Sequence, residues 1–112
     1  MVCTFFPLLV IFFIFKTNVM FVIAHHFVHQ PEAFWASASQ VLSSIPSHIK
    51  LHSVLPSKDQ KTGTCIWEAS NAGEVQELVD RILGKMSKNV CYEVNEKVAI
   101  GLPQKAMEKV IA

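Results

Sequence analysis

The sequence predicts an α+β domain with the ferredoxin-like order β-α-β-β-α-β, and three observations support this. Four segments rich in β-branched and aromatic residues are separated by turn-forming residues. Two of the intervening segments carry apolar residues at helical spacing. A chain of this order folds into an antiparallel sheet with both helices on one face.

The first half of the domain supplies a strand, a helix and a second strand. The run VMFVIAHHFV, residues 19–28, is β-branched and aromatic and predicts a core strand. The segment QPEAFWASASQVLSS, residues 30–44, predicts a helix, because Pro31 suits a first helical position and apolar residues recur at helical spacing from Phe34 onward. The run HIKLHSVLP, residues 48–56, alternates apolar and polar residues and predicts a half-buried strand.

The second half repeats the pattern after a polar loop. The run SKDQKTG, residues 57–63, predicts an exposed hairpin loop, and TCIWEAS, residues 64–70, predicts the returning strand. Asn71 is a typical N-cap for a helix that Gly84 ends. The run NVCYEVN, residues 89–95, predicts the fourth strand.

An apolar extension precedes the domain, which we place at residues 20–112. Within residues 1–19, the run VCTFFPLLVIFFIF contains Pro7 and is shorter than the roughly 17–25 residues that span a bilayer as a helix. Three interpretations stay open: a non-native upstream extension with Met20 as the working start, a short membrane anchor formed by residues 1–15, or a cleaved signal. The predicted location is cytoplasmic, or membrane-anchored if the extension is native.

Charge and cysteine usage exclude some classes of protein. The chain has 10 basic and nine acidic residues, and no basic cluster of the kind that nucleic-acid binding requires. Its three cysteines are odd in number and lack a CxxC pair, which favours free thiols in a reducing compartment. We therefore expect no nucleic-acid partner. Cys65 and Cys91, both on predicted strands, are expected to be inert thiols.

The first strand predicts self-association. Both of its faces are apolar, with Phe21, Ile23 and Phe27 on one side and smaller apolar residues on the other. Two helices can cover only one face of the sheet, and an exposed apolar face of that size is unusual in a monomer. We therefore expect a second copy to pack sheet to sheet, giving a homodimeric α/β barrel.

Four polar side chains are candidates for a site on the face opposite the helices. Alternation along the strands predicts that His52, Glu68 and Glu93 converge there, joined by His26 of the first strand. Imidazole and carboxylate together suit a divalent ion such as nickel or zinc. The competing interpretation is that Glu68 forms an ion pair or hydrogen bond with Lys50 or His52 in a barrel that binds nothing.

Several segments together resemble a known group of proteins. FVIAHHFVHQPEAFW, IKLHSVLP, CIWEAS and SKNVCYEVNEKVAIGLP are similar to small bacterial ferredoxin-like proteins of unknown function, which are related to nickel-responsive, nickel-binding proteins with a dimeric α/β barrel. The resemblance covers about residues 20–103. It implies the fold, dimerisation and a divalent-metal site. It transfers no nickel ligands, although Cys65 and Glu68 lie within a matching motif.

Three functions follow as hypotheses. The first is a non-enzymatic dimer that binds a divalent metal such as nickel through histidine and glutamate side chains. The second is a small-molecule binder or cofactor-free enzyme of the dimeric α/β-barrel type. The third is a structural dimer that makes protein contacts. The common nucleotide-binding, hydrolase and zinc-protease motifs do not occur in the chain.

Overall fold

The computed structural model describes residues 19–106 and confirms the predicted ferredoxin-like α+β fold. Four strands form one antiparallel sheet in the order β2-β3-β1-β4. Residues 1–18 of the predicted extension and residues 107–112 of the predicted domain lie outside the described residues. The elements are β1 (Met20–Val28), α1 (Pro31–Ser44), β2 (Lys50–Pro56), β3 (Thr62–Ala69), α2 (Ala72–Leu83) and β4 (Ser87–Glu93).

The predicted start and end of α2 are confirmed. The side chain of Asn71 accepts a hydrogen bond from the Glu74 N–H at 2.9 Å, and the Glu74 carboxylate accepts one from the Ser70 N–H at 2.6 Å. Each bond satisfies an amide that the helix or its entry would otherwise leave unpaired. Gly84 is the C-cap, and its N–H donates to the Asp80 carbonyl at 2.9 Å.

Replacement of the N-cap tests this local account. We expect Asn71→Ala to lower the free energy of unfolding by about 1 kcal/mol, because the Glu74 amide loses its acceptor. Asn71→Ser keeps an acceptor and is expected to lose much less. Urea denaturation of the three proteins measures the difference. Equal stability of wild type and Asn71→Ala would contradict the capping assignment.

The core lies between the helices and one face of the sheet, which we call the helix side. Small and aromatic residues of the strands form one side of the core, and apolar residues of α2 pack against them. The opposite face, called the open face, carries the alternate residues of each strand. The buried helix-side residues include Val22, Ala24, Trp67, Val75, Leu78 and Val79.

A β-bulge changes the predicted alternation of β2. Leu51 and Ser53 pair with adjacent residues of β3, so His52 is the extra residue. Beyond the bulge, Val54 takes the helix side and Leu55 the open face. The predicted alternation, which placed Leu55 with Leu51 on the helix side, is therefore wrong beyond His52.

Helix α1 packs on α2 and on the helix side of the sheet, where Phe34 and Val41 are buried in the core. The Trp35 indole N–H donates to the Gln60 carbonyl at 3.0 Å. The Trp35 ring lies over Gly63, where an added Cβ would come within 2.9 Å of Cη2, so only glycine permits this approach.

No helix within residues 19–106 is long and apolar enough to span a bilayer. The predicted anchor, residues 1–15, falls outside this range.

Candidate functional site

The four residues predicted to converge are divided between the two faces of the sheet. Glu93 pairs with Val22, and paired residues share a face, so Glu93 lies on the helix side. His26, which pairs with Asn89, lies four residues after Val22 on the same strand and therefore also lies on the helix side. His52 and Glu68 lie on the open face. The prediction that all four meet opposite the helices is therefore wrong. Both faces of β1 are apolar, so alternation alone could not indicate which set the helices cover.

The predicted ligand set does not form a metal centre within one chain. No group of three or more histidine, cysteine, aspartate or glutamate side chains among residues 19–106 is arranged to hold a metal ion. His52 and Glu68 are adjacent and could supply two donors. His26 is bonded to another side chain, and Glu93 is exposed. Nickel or zinc binding thus stays a prediction that concerns His52 and Glu68 only.

His52 and Glu68 form an enclosed pair. The His52 Nε2–H donates to Glu68 Oε1 at 2.8 Å, and the Glu68 side chain is 0% exposed. The Ala106 N–H donates to the same oxygen at 2.8 Å. The His52 ring also contacts the Phe21 ring, with centroids 5.5 Å apart. Of the two interpretations of Glu68, the contact with His52 is present, and the carboxylate is covered without a second copy.

The C-terminal segment provides that cover. Lys105 Nζ lies 2.9 Å from Glu96 Oε1 and donates to the Val19 carbonyl at 3.0 Å. The same ammonium lies 5.7 Å from the centroid of the Phe21 ring, which is buried. One end of the open face is therefore covered by the chain's own segment around residues 102–106.

A cavity of about 300 Å³ lies between α1 and the helix side of the sheet. Most of its wall is apolar, which suits a small-molecule site. Residues of both helices and of three strands line it, among them His26, Ala38, Leu42, Val54, Cys65 and Trp67.

Trp67 lies on the cavity wall with an unsatisfied donor. Its side chain is 1% exposed, and its Nε1–H is buried without a hydrogen-bond partner in the described part of the chain. A buried donor left without an acceptor costs about 1–3 kcal/mol. Native proteins leave few such groups, so each one calls for an explanation.

His26 lies on the same wall with a defined tautomer. Asn89 Nδ2 donates to Asp80 Oδ1 at 3.0 Å, so the Asn89 carbonyl oxygen is the atom that faces the imidazole. The His26 Nδ1–H donates to that oxygen at 2.7 Å. In the neutral ring, Nε2 then carries a lone pair. Nε2 makes no hydrogen bond to any residue between 19 and 106.

Burial controls the protonation of the groups around the cavity. Desolvation lowers the pKa of His26 below 6.5, and the hydrogen bond with Asn89 only partly opposes it, so the imidazole is neutral at pH 7. Desolvation raises the pKa of the Cys65 thiol to about 11 and that of Cys91 to about 12. Both cysteines are thiols at neutral pH, which disfavours a nucleophilic role.

Sequence reasoning missed several of these groups. Trp67 lies in the core, but alternation gives no sign that its indole N–H has no acceptor. Asn89 and Asp80 come from different elements, and only their packing joins them to His26. A polar residue inside an apolar strand, such as His26, was the one local signal.

Fold and site together define a ferredoxin-like α+β domain with an apolar cavity between one helix and the sheet. No protein-family model matches the chain, and no curated protein is significantly similar to it. The resemblance to relatives of nickel-binding proteins therefore stays a prediction.

Proposed function

We propose that this chain binds a small, mostly apolar molecule in the cavity between α1 and the sheet. The observation that carries the proposal is the cavity itself, an apolar space of about 300 Å³ whose wall includes the buried Trp67. A ligand that moves its apolar surface from water into this space gains free energy by doing so.

The size of the cavity indicates the size of the ligand. A cavity of about 150 Å³ lined by apolar side chains holds benzene, so the space of about 300 Å³ here suits two fused rings. Larger drug-like molecules occupy pockets of up to about 1,000 Å³ and would not fit.

The route into the cavity runs between α1 and β2. Leu42 on α1 is 60% exposed and Val54 on β2 is 42% exposed, although both line the cavity. Apolar side chains that reach both the cavity and solvent define an apolar entrance.

Filling the cavity tests the proposal. Ala38 lines the cavity, whereas Ala36 of the same helix is exposed. We expect wild type to bind 2-acetylnaphthalene, which offers two rings and one carbonyl acceptor, and Ala38→Phe to lose at least about tenfold in affinity because the new ring occupies the space. Equilibrium dialysis measures the binding.

Ala36→Phe is the matched control, since it adds the same ring outside the cavity. It is expected to bind as wild type does. Absence of binding by wild type, or equal affinity of the two variants, would refute the cavity as the binding site.

A second proposal concerns association of two copies through the open face. The C-terminal segment covers only one end of that face. The other end carries several large apolar side chains that are 41–56% exposed. Clusters of this kind are typical of protein contact surfaces. The side chains are Phe27, Leu55, Val90 and Tyr92. Two such faces packed together would form the dimeric α/β barrel expected from the sequence.

The set of candidate ligands for a divalent metal is smaller than the sequence predicted. Only the donors of His52 and Glu68 remain together, and a metal would need further ligands from outside this pair. We therefore place it behind small-molecule binding.

A further inference from the structure

We infer that the ligand of the cavity carries a hydroxyl group that donates a hydrogen bond to His26 Nε2. This inference rests on the proposed function and extends it from an apolar ligand to a hydroxylated ring compound, such as a phenol. It depends on the tautomer of His26 and on the charges that surround the cavity.

The hydrogen-bond chain behind His26 fixes the imidazole as an acceptor. The Asp80 carboxylate accepts from Asn89 Nδ2 and also from Gln76 Nε2 at 2.9 Å. Ser87 Oγ lies 2.7 Å from Asn89 Oδ1 and can donate to it alongside His26 Nδ1. These bonds hold the Asn89 amide in one orientation, so the proton stays on Nδ1 and the lone pair on Nε2.

Among residues 19–106, no donor of the cavity wall occupies that lone pair: the Trp67 indole N–H makes no hydrogen bond, and the Ser39 hydroxyl donates to the Ala36 carbonyl. The ring of Phe34 on α1 contacts the imidazole, with centroids 5.3 Å apart, and the α1 residues lining the cavity include no titratable side chain. Cys65 on β3 and Cys91 on β4 are thiols, which are weak donors. His25, the next residue of β1, lies on the open face, where its Nδ1 is 3.0 Å from Thr64 Oγ1.

The same surroundings exclude other ligand classes. No lysine or arginine among residues 19–106 lines the cavity, so a carboxylate or phosphate would be buried there without a countercharge from these residues. An ether or a plain hydrocarbon would leave Nε2 without a donor. A hydroxyl group on an apolar ring supplies a donor for His26 Nε2 and carries no charge, so it suits both the acceptor and the apolar wall of the cavity.

Three ring compounds separate the inference from the proposed function. Binding of naphthalene, 2-methoxynaphthalene and 2-naphthol to wild type is measured by equilibrium dialysis at pH 7.5. We expect 2-naphthol to bind about tenfold more tightly than 2-methoxynaphthalene, because only the hydroxyl can donate to Nε2. His26→Phe keeps a ring in place and is expected to abolish this preference while it retains naphthalene binding.

The pH dependence provides a second readout that needs no variant. Protonation of His26 removes the Nε2 lone pair, so the preference for 2-naphthol is expected to vanish as the pH falls from 7.5 through the lowered pKa of His26. A preference that persists at a pH where NMR shows the His26 ring to be protonated in the folded protein would overturn the inference, even if His26→Phe does not fold.

The outcomes distinguish a failure of the proposed function from a failure of the hydroxyl inference. If none of the ring compounds binds, including 2-acetylnaphthalene, the proposed function fails. If they bind and Ala38→Phe blocks them, but 2-naphthol shows no preference over 2-methoxynaphthalene, only the hydroxyl inference fails.

Discussion

Val90→Glu is expected to convert the proposed dimer into a monomer that keeps its native fold. Val90 lies on the open face, pairs with His25 in the sheet and is 41% exposed, so the substitution leaves the core of the chain untouched. In the proposed apolar interface the new carboxylate would lose its hydration, which opposes association. The dissociation constant is expected to rise at least about a hundredfold.

Sedimentation velocity over a range of concentrations measures this effect, and circular dichroism checks the fold. Ala36→Glu is the matched control, because it places the same charge on an exposed position of α1, away from the open face. It is expected to remain dimeric. A wild-type chain that stays monomeric at high concentration would refute the dimer.

Glu68→Ala is expected to lower the free energy of unfolding by about 3 kcal/mol. The Glu68 side chain is 0% exposed and accepts hydrogen bonds from His52 and from the Ala106 amide. Its removal leaves the His52 donor, which is largely buried, without this acceptor, and breaking a buried pair in this way is costly. It also releases the end of the C-terminal segment from the open face.

Glu68→Gln is the control, since its amide oxygen can still accept both hydrogen bonds, and it is expected to lose less stability than Glu68→Ala. Urea denaturation ranks the proteins, and equal stability of all three would contradict the structural role. Metal analysis of wild type, Glu68→Ala and His52→Ala tests the metal hypothesis. Stoichiometric nickel or zinc in wild type, lost in both Glu68→Ala and His52→Ala, would support it; metal-free wild type would refute it.

Local chemistry accounts for the parts of the structure that were predicted correctly. The capping pattern at Asn71, Pro31 at the start of α1 and Gly84 at the end of α2 each act within one turn of helix. Such signals depend on neighbours in the chain, so they can be recognised without knowledge of the fold.

The candidate site could be predicted only in part, because it depends on contacts between distant elements. His52 and Glu68 were placed together correctly, since both belong to the two strands of one hairpin. His26 and Glu93 were assigned to the wrong face. Alternation separates the two faces of a strand, but it does not say which face the helices cover when both are apolar.

The sequence by itself determined the order of strands and helices, and with it the ferredoxin-like topology, because periodicity and turn-forming residues act over a few positions. The tertiary structure alone decided the bulge at His52, the C-terminal cover over Glu68 and the cavity between α1 and the sheet beside Trp67. These features arise from long-range packing, in which the same apolar residue can satisfy more than one neighbour. The unpaired indole and the oriented imidazole became visible only once that packing was known.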